Sequence, residues 1–218
     1  MKLEHKYHNW NEVSISLWKK MDEVCNRELD SDIEKNIALL ALICDCNEDD
    51  LYNLSINDLN NEIGKLGWIN RFEYNSDRFP HKLKINGQTY RINPNLQDFT
   101  ISQYVDFQTF WPKVQKKQYQ YMGNLLAVFL VPEGKKYNEG YDAVELAKQL
   151  EDNVSIATYN SVLAFFLTLS AASIEVSALY LDWTTRKMEK KAKDPETKEL
   201  LEVARRKLRT LLSAGTVS

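Results

Sequence analysis

EVSISLW at residues 12–18 recurs in altered form as DFTISQY at residues 98–104. In the same ungapped register, LLALI at residues 39–43 falls on LLAVF at residues 125–129. The first pair carries a Ser or Thr suited to begin a helix, and the second is a run of apolar residues suited to a core. The shared register predicts two helical units built on one plan.

A third match places Ser55 and Ile56 on Ser155 and Ile156, in the same order along the chain. It requires an insertion in the second copy, at about residues 132–152. Three ordered matches favour a duplicated unit. The alternative is a set of unrelated helices that begin with similar caps.

Several helices are predicted from their first residues. A Ser or Thr side chain accepts a backbone N–H of the first turn, and an acidic or amide residue three positions later completes a capping box. This pattern occurs at Ser31 with Glu34, at Ser55 with Asp58 and at Thr100 with Gln103, while Ser14 caps the first helix. After Thr100, apolar Ile101, Tyr104, Val105 and Phe107 follow at helical spacing.

A β-hairpin is predicted between the two helical units. Residues 82–85 and 89–92 alternate polar with apolar side chains on either side of Asn86-Gly87. An Asn-Gly pair flanked in this way is the strongest short hairpin signal. A lone hairpin is only marginally stable, so these strands must pack on helices or pair with another strand, for which residues 71–74 are a candidate.

The sequence therefore predicts a mainly α-helical protein with two repeated units joined by a β-hairpin, a long central helix and an amphipathic C-terminal helix. The expected boundaries are helical unit 1 at residues 1–70, the hairpin connector at 71–95, helical unit 2 at 96–193 with the insertion 132–152, and the C-terminal helix and tail at 194–218. The segment 162–169 is apolar nearly all round, as a central helix would be. The C-terminal helix has a narrow apolar stripe with basic flanks, suited to docking on its own bundle or on a partner.

Composition excludes several classes of function. The 218 residues carry a net charge of −3, and the pI is about 5.7, which argues against a dedicated nucleic-acid binder. The longest apolar stretch, 162–174, is shorter than the roughly 20 residues that cross a bilayer. Three cysteines, with no signal-like start, favour a reducing compartment and a cytoplasmic protein.

No catalytic, cofactor-binding or metal-binding motif is predicted. Cys44 and Cys46 lack the second pair of a zinc site, and the acidic stretch 45–50 lacks the Gly and Glu of a calcium loop. Glu4, His5 and His8 are expected to lie on a solvent-exposed terminus. His81 has no nucleophilic partners in the sequence, and Glu175 is expected at a bundle surface. The protein is therefore expected to be neither an enzyme nor a cofactor carrier.

INGQTYRI at residues 85–92, Leu96 with FTISQYVDF at 99–107, and LLAVFLVP at 125–132 followed by Tyr137 and Tyr141 form a recognisable series. Together they resemble proteins of the tail assembly chaperone type, encoded near the tape-measure gene in tailed bacteriophages, and the related baseplate hub assembly proteins. The resemblance covers about residues 83–170 and extends through the repeat over 10–70. It implies a non-enzymatic morphogenesis protein of the host cytoplasm that binds a phage structural partner.

Two functions follow as expectations. One is a tail assembly chaperone that binds a tail or tape-measure component, and the alternative is a structural component retained in the virion, in a connector, a baseplate or as capsid cargo. A homo-oligomer is compatible with either function. Aromatic residues at helical spacing, such as Tyr104 and Phe107, are more often core than interface. The partner-binding candidates are Trp111, placed just after a helix, Tyr137 and Tyr141 of an exposed loop, and Leu201, Leu208 and Leu211 of the C-terminal stripe.

Overall fold

A computed structural model describes residues 3–28, 31–71, 80–93 and 98–168, and beyond them 185, 187–188, 194, 197, 199–203 and 206. The chain divides into two compact units, Met1–Ala164 and Phe165–Ser218. The first unit is mainly helical with a small three-stranded antiparallel sheet. It contains predicted helical unit 1, the predicted hairpin connector and predicted helical unit 2 as far as residue 164.

The first half of this unit is a series of helices begun by side-chain caps. Ser14, Ser31 and Ser55 accept the backbone N–H groups of Leu17, Glu34 and Asp58, as the capping patterns predict. The acidic stretch after the second helix is a connector, because Asp45 adopts a left-handed conformation (φ 50°) that ends it. The helices are α1 Ile15–Asn26, α2 Asp32–Cys44, the single turn α3 Glu48–Leu51, α4 Ile56–Gly64 and a 3₁₀ helix Lys65–Asn70.

The second half begins at Thr100, whose capping box with Gln103 is fully formed. The helices are α5 Ile101–Gln115, a 3₁₀ turn Tyr119–Tyr121, α6 Met122–Phe129, α7 Ala143–Asn153 and α8, described over 156–168. Trp111 and Pro112 lie inside α5, whereas the sequence placed them just after a helix. Pro112 is exposed and close to the helix end, so its missing N–H removes one hydrogen bond without ending the helix there.

The sheet consists of β1 Lys82–Ile85, β2 Gln88–Ile92 and β3 Leu130–Pro132, in the order β1-β2-β3. Asn86 (φ 49°) and Gly87 (φ 82°) form the tight connection between β1 and β2. The third strand, β3, continues directly from α6 in extended conformation. It pairs with β2, so that Val131 lies opposite Arg91. The predicted candidate for a further strand, residues 71–74, is described only at Arg71, which is not in a strand, and residues 72–74 lie outside the described residues.

The core of the first unit is centred on α6, which packs against α5 and α7. Seven of its eight residues are buried: Met122, Gly123, Leu125, Leu126, Ala127, Val128 and Phe129. The segment 162–169 was predicted to be buried on all sides, but its described residues are only partly buried. Val162 and Phe166 are buried, Leu163 and Phe165 are half-buried, and Thr168 is exposed. The all-round apolar burial expected there therefore belongs to α6.

One carboxylate joins three helices. Glu151 of α7 accepts the backbone N–H of Gly123 at 2.9 Å and forms an ion pair with Lys19 of α1. Gly123 has no room for a side chain, because a Cβ there would lie 2.4 Å from the carbonyl oxygen of Ala147. Close approach of α6 and α7 thus requires glycine at this position.

LLALI at 39–43 lies on α2 and LLAVF at 125–129 lies on α6, and both runs are largely buried. Superposition of the two predicted units stays a prediction. Of the C-terminal candidates, Leu201 is half-buried in a helical stretch, while Leu208 and Leu211 lie outside the described residues. Among the residues that the structure describes, no helix has the length and apolar character to cross a membrane.

Candidate functional site

A group of exposed apolar side chains lies on α5. Ile101, Tyr104 and Val105 are 85%, 59% and 53% exposed. Their spacing of three and four residues places them on one face of the helix. The expectation that Tyr104 belongs to the core is wrong. These three residues are here named the α5 surface.

The orientation of α5 is fixed from its opposite side by Gln103, the one buried side chain of the helix. Its Oε1 accepts the backbone N–H of Thr100 at 3.0 Å, and its Nε2 donates to the carbonyl oxygen of Val128 at 3.0 Å. Val128 lies in the last turn of α6, where carbonyl groups lack partners within the helix. Gln103 therefore attaches the start of α5 to the end of α6 and leaves the α5 surface facing outward.

Aromatic rings fill the space between α5 and its neighbours. Phe107 packs edge-on against Phe129 of α6, with ring centroids 5.7 Å apart, and Trp111 stacks on Phe107 at 6.4 Å. Phe110 stacks on Tyr121 at 6.0 Å. Trp111 is half-buried, so this partner candidate takes part in the aromatic packing that supports α5.

The loop after β3 is held against α5 by a hydrogen bond. The Tyr137 hydroxyl donates to Asp106 Oδ2 at 2.7 Å, and burial together with this carboxylate raises the pKa of Tyr137. The Tyr141 hydroxyl accepts the backbone N–H of Asn138 at 3.1 Å. Both tyrosines are half-buried, whereas the sequence suggested an exposed loop with aromatic handles. The structure thus brings Trp111 and Tyr137 to one helix, and Tyr141 stabilises the loop.

The end of α5 is basic. Lys113 Nζ lies 4.1 Å from the centroid of the Tyr121 ring and 5.6 Å from that of Phe110, at distances typical of cation–π contacts. Lys116 and Lys117 are both exposed. An apolar face with a basic end is suited to an apolar helix with an acidic end.

Metal-ligating side chains are not clustered within the described residues. No set of three His, Cys, Asp or Glu side chains there is placed to hold a metal ion. Burial raises the pKa of the Cys44 thiol to about 11, which disfavours its reactive thiolate form.

The N-terminal histidines differ from the sequence expectation. His5 Nε2 lies 2.7 Å from Glu62 Oε2, and the His5 side chain is only 6% exposed. His8 is exposed and stacks beside His5. The terminus is therefore fastened to α4 through His5, a contact between residues too far apart in sequence to be recognised from local patterns.

The sequence did not indicate which residues connect one secondary-structure element to another, namely Gln103, Asp106 and Glu151. The capping box at Thr100 identified Gln103 only as a local cap. Its second contact, to Val128, depends on the tertiary packing. No protein-family model, curated protein or solved structure matches this chain.

Proposed function

We propose that this protein is a non-enzymatic phage morphogenesis protein of the host cytoplasm, which acts as a tail assembly chaperone and binds a helical segment of a tail or tape-measure component through the α5 surface. The observation that supports it most directly is the outward apolar face formed by Ile101, Tyr104 and Val105. The sequence resemblance supplies the class of partner.

The geometry of α5 favours a helical partner. Apolar residues spaced at i, i+3 and i+4 are the positions that meet an amphipathic helix laid along another helix. Gln103 and the aromatic contacts beneath α5 hold this face in place before any partner arrives. A preorganised surface loses less conformational entropy on binding.

Positive charge at the end of α5 would favour one orientation of a partner helix along it. Lys116 and Lys117 lie beyond the apolar face, immediately after Gln115 at the end of the helix. An acidic group on the partner at that end would be attracted, and the attraction would weaken with salt. A partner helix is therefore expected to place apolar residues over Ile101 and Val105 and acidic residues near the lysines.

The test uses purified tail and tape-measure components from the genome that encodes this chain. A double variant, Ile101→Glu with Val105→Glu, places charge on the α5 surface. The matched control is Ile56→Glu with Val144→Glu, because Ile56 also occupies the first position of a helix and both residues are highly exposed. We expect the α5 variant to bind at least about tenfold more weakly and the control to bind like wild type. Equal binding by the two variants, or no binding of any such component by wild type, would overturn the proposal.

Mass spectrometry of purified particles separates the two morphogenesis functions. A chaperone leaves before the particle is complete, so the chain is expected to be absent. A fixed copy number in purified particles would instead support a structural component in the connector, baseplate or capsid.

We also propose that the two helical units arose by duplication. The order of elements supports this, since Ser14 with α1, then α2, then Ser55 with α4 parallels Thr100 with α5, then α6, then Ser155 with α8. An experimental structure tests it by superposition of the two helix triplets. Different crossing directions in the two triplets would rule out the duplication.

A further inference from the structure

Four helix starts in the first unit share one local sequence, in which an apolar residue is followed by a Ser or Thr cap and then by Ile. They are Val13-Ser14-Ile15, Leu54-Ser55-Ile56, Phe99-Thr100-Ile101 and Val154-Ser155-Ile156. In each of them the cap side chain accepts the backbone N–H of the residue three positions later. They are here named the cap segments, and each is identified by its Ser or Thr.

Two of the cap segments pair with each other inside the protein. Ser14 lies opposite Ser155 in an antiparallel bridge. The N–H of the isoleucine in each segment donates to the carbonyl oxygen of the valine in the other, at 3.0 and 2.8 Å. Both isoleucines are fully buried by this arrangement. The chain thus shows what can cover a cap segment, namely a second cap segment that runs antiparallel to it.

The other two cap segments are uncovered. Ile56 of the Ser55 segment is 77% exposed, and Ile101 of the Thr100 segment is 85% exposed. The N–H groups of these two isoleucines form no hydrogen bond within the part of the chain that the structure describes. Such amides in the first turn of a helix have no partner within the helix itself. Both apolar surface and hydrogen-bond donors therefore remain available at these positions.

The backbone of both uncovered segments already has the conformation found in the bridge. Ser14 has φ −67° and ψ 162°, Ser55 has φ −65° and ψ 153°, and Thr100 has φ −67° and ψ 157°. Ser31, which caps α2 without the shared local sequence, differs with φ −150°. Pairing of the Ser55 and Thr100 segments therefore requires no change of backbone conformation at either cap.

The order of the helices indicates which segments are complementary. The bridge joins the first cap segment of the first half, Ser14, to the last cap segment of the second half, Ser155. The two that remain are the last of the first half, Ser55, and the first of the second half, Thr100. They form the same combination of a first and a last segment. A second copy of the chain offers each of them the segment that it lacks.

Charge near the two uncovered segments is also complementary. The Ser55 segment follows α3, whose three carboxylates are exposed, and no Lys or Arg occurs at residues 46–64. Residues 98–117 carry three lysines and two carboxylates, Asp98 and Asp106, each of which already accepts a hydrogen bond from another side chain. In an antiparallel pairing, the chain before Ser55 lies on the side toward which α5 runs. The acidic turn α3 is thereby directed toward the basic end of α5.

We propose that copies of this protein associate through these segments, with the Ser55 segment of one copy paired antiparallel to the Thr100 segment of another, as Ser14 pairs with Ser155 within each copy. The contact buries Ile56 against Ile101. Their N–H groups donate to the carbonyl oxygens of Phe99 and Leu54, the apolar residues of the opposite segment. Because the two paired surfaces differ, the contact is heterologous, and it either closes a dimer by occurring twice or continues to a third copy.

Self-association covers Ile101, which also belongs to the α5 surface. A self-associated chain and a chain bound to a tail component are therefore alternative states of the protein. The inference goes beyond the proposed function and is tested on the purified chain alone. At concentrations too low for self-association, a change at Ile56 leaves the α5 surface of the monomer intact, so the two proposals can fail separately.

The test measures mean mass by analytical ultracentrifugation from about 1 µM to about 1 mM protein. Ile56→Glu and Ile101→Glu each place a charge on one segment, and a carboxylate in the first turn of a helix is compatible with folding. The matched control is Val144→Glu, because Val144 is 73% exposed in the first turn of α7 but belongs to no cap segment. Thermal unfolding checks that all three variants are folded.

Wild type is expected to increase in mean mass with concentration. Each isoleucine variant should associate at least about tenfold more weakly, whereas Val144→Glu should behave like wild type. The sharpest measurement is an equimolar mixture of Ile56→Glu and Ile101→Glu. Each variant retains the segment that the other has lost, so the mixture is expected to form a one-to-one complex that neither forms alone.

Several results would overturn the inference. They are a wild type that stays monomeric over the whole range, an equal loss of association in Val144→Glu, and a mixture that stays monomeric at the highest concentration. Association of Ile56→Glu alone, together with its loss in Ile101→Glu, would also overturn it, because copies would then meet through α5 only.

Discussion

Ser14 and Ser155 each cap a helix, and together they form a single antiparallel β-bridge between the starts of α1 and α8. The N–H of Ile15 donates to the carbonyl oxygen of Val154 at 3.0 Å, and that of Ile156 donates to Val13 at 2.8 Å. The side chains on either side of the two serines are all buried: Val13, Ile15, Val154 and Ile156. Two helix starts far apart in sequence are thus joined through the core.

Whether the region around this bridge belongs to the core can be tested with two isoleucines in equivalent local positions. Ile15 follows the cap Ser14 and is fully buried, while Ile56 follows the cap Ser55 and is 77% exposed. Ile15→Ala is expected to lower the free energy of unfolding by about 2–5 kcal/mol, because it leaves a cavity in the core. Ile56→Ala is expected to change it by less than about 0.5 kcal/mol.

Urea denaturation of both variants measures the difference. Because each substitution is made at the first position of a capped helix, effects of local helix propensity cancel to first order. Equal midpoints for the two variants would show that the bridge region does not belong to the cooperative core.

The attachment of α5 to α6 can be tested through Gln103. Gln103→Ala removes one half of the capping box and leaves the carbonyl oxygen of Val128 without its donor. We expect a loss of about 1–3 kcal/mol in the free energy of unfolding. Gln108→Ala, at an exposed position of the same helix, is the control and should be close to wild type in thermal unfolding. A wild-type melting temperature for Gln103→Ala would contradict a role in fixing α5.

Stability at high pH depends on Tyr137. Its pKa is raised in the folded state by burial and by the hydrogen bond to Asp106, while in the unfolded chain it is near the ordinary value of 10. The hydroxyl therefore keeps its proton in the folded state when the unfolded chain has begun to lose it. The stabilising contribution is complete below about pH 10 and is lost as the pH rises above it.

Tyr137→Phe is expected to cost about 0.5–1.5 kcal/mol at neutral pH, because Asp106 loses a donor. Above pH 10 the variant should lose stability less steeply than wild type. Urea titrations at pH 7 and at several values above pH 10 compare the two slopes. Parallel slopes would show that Tyr137 ionises equally in the folded and unfolded states.

Gly123 is a point of close approach that a methyl group would disturb. In Gly123→Ala the new Cβ would meet the backbone carbonyl of Ala147, which cannot rotate away. We expect a loss of about 1–3 kcal/mol, or more if α6 and α7 cannot separate. Gly64→Ala places a methyl group where no atom lies within 4 Å, and there the reduced freedom of the unfolded chain should stabilise by about 0.4–1 kcal/mol. Opposite shifts in melting temperature are the expected result.

The features that the sequence predicts correctly are those controlled by neighbouring residues. The caps at Ser31, Ser55 and Thr100 depend on side chains within one helical turn, and the mainly helical character follows from apolar spacing. Tertiary relationships are different. The bridge of Ser14 to Ser155 joins residues from distant parts of the chain, although the repeated tripeptide Val-Ser-Ile at 13–15 and 154–156 was a signal that could have indicated it.

The α5 surface shows why the candidate site was harder to predict. Helical spacing places Ile101, Tyr104 and Val105 together on one face whether that face is covered or exposed. Which face turns inward is decided by the contact of Gln103 with Val128 and by the aromatic packing beneath α5. The third strand was hard to predict for a similar reason. Leu130–Pro132 continues the apolar run of α6 in sequence, and it forms a strand because it pairs with the edge of β2.

The small sheet is closed to growth at both of its edges. At one edge, β1 presents the exposed charged side chains of Lys82 and Lys84, and at the other β3 is only three residues long and ends in proline. Lysine and proline at sheet edges prevent strands of another molecule from adding on. The sheet therefore offers no long, uncharged edge through which copies of the protein could polymerise.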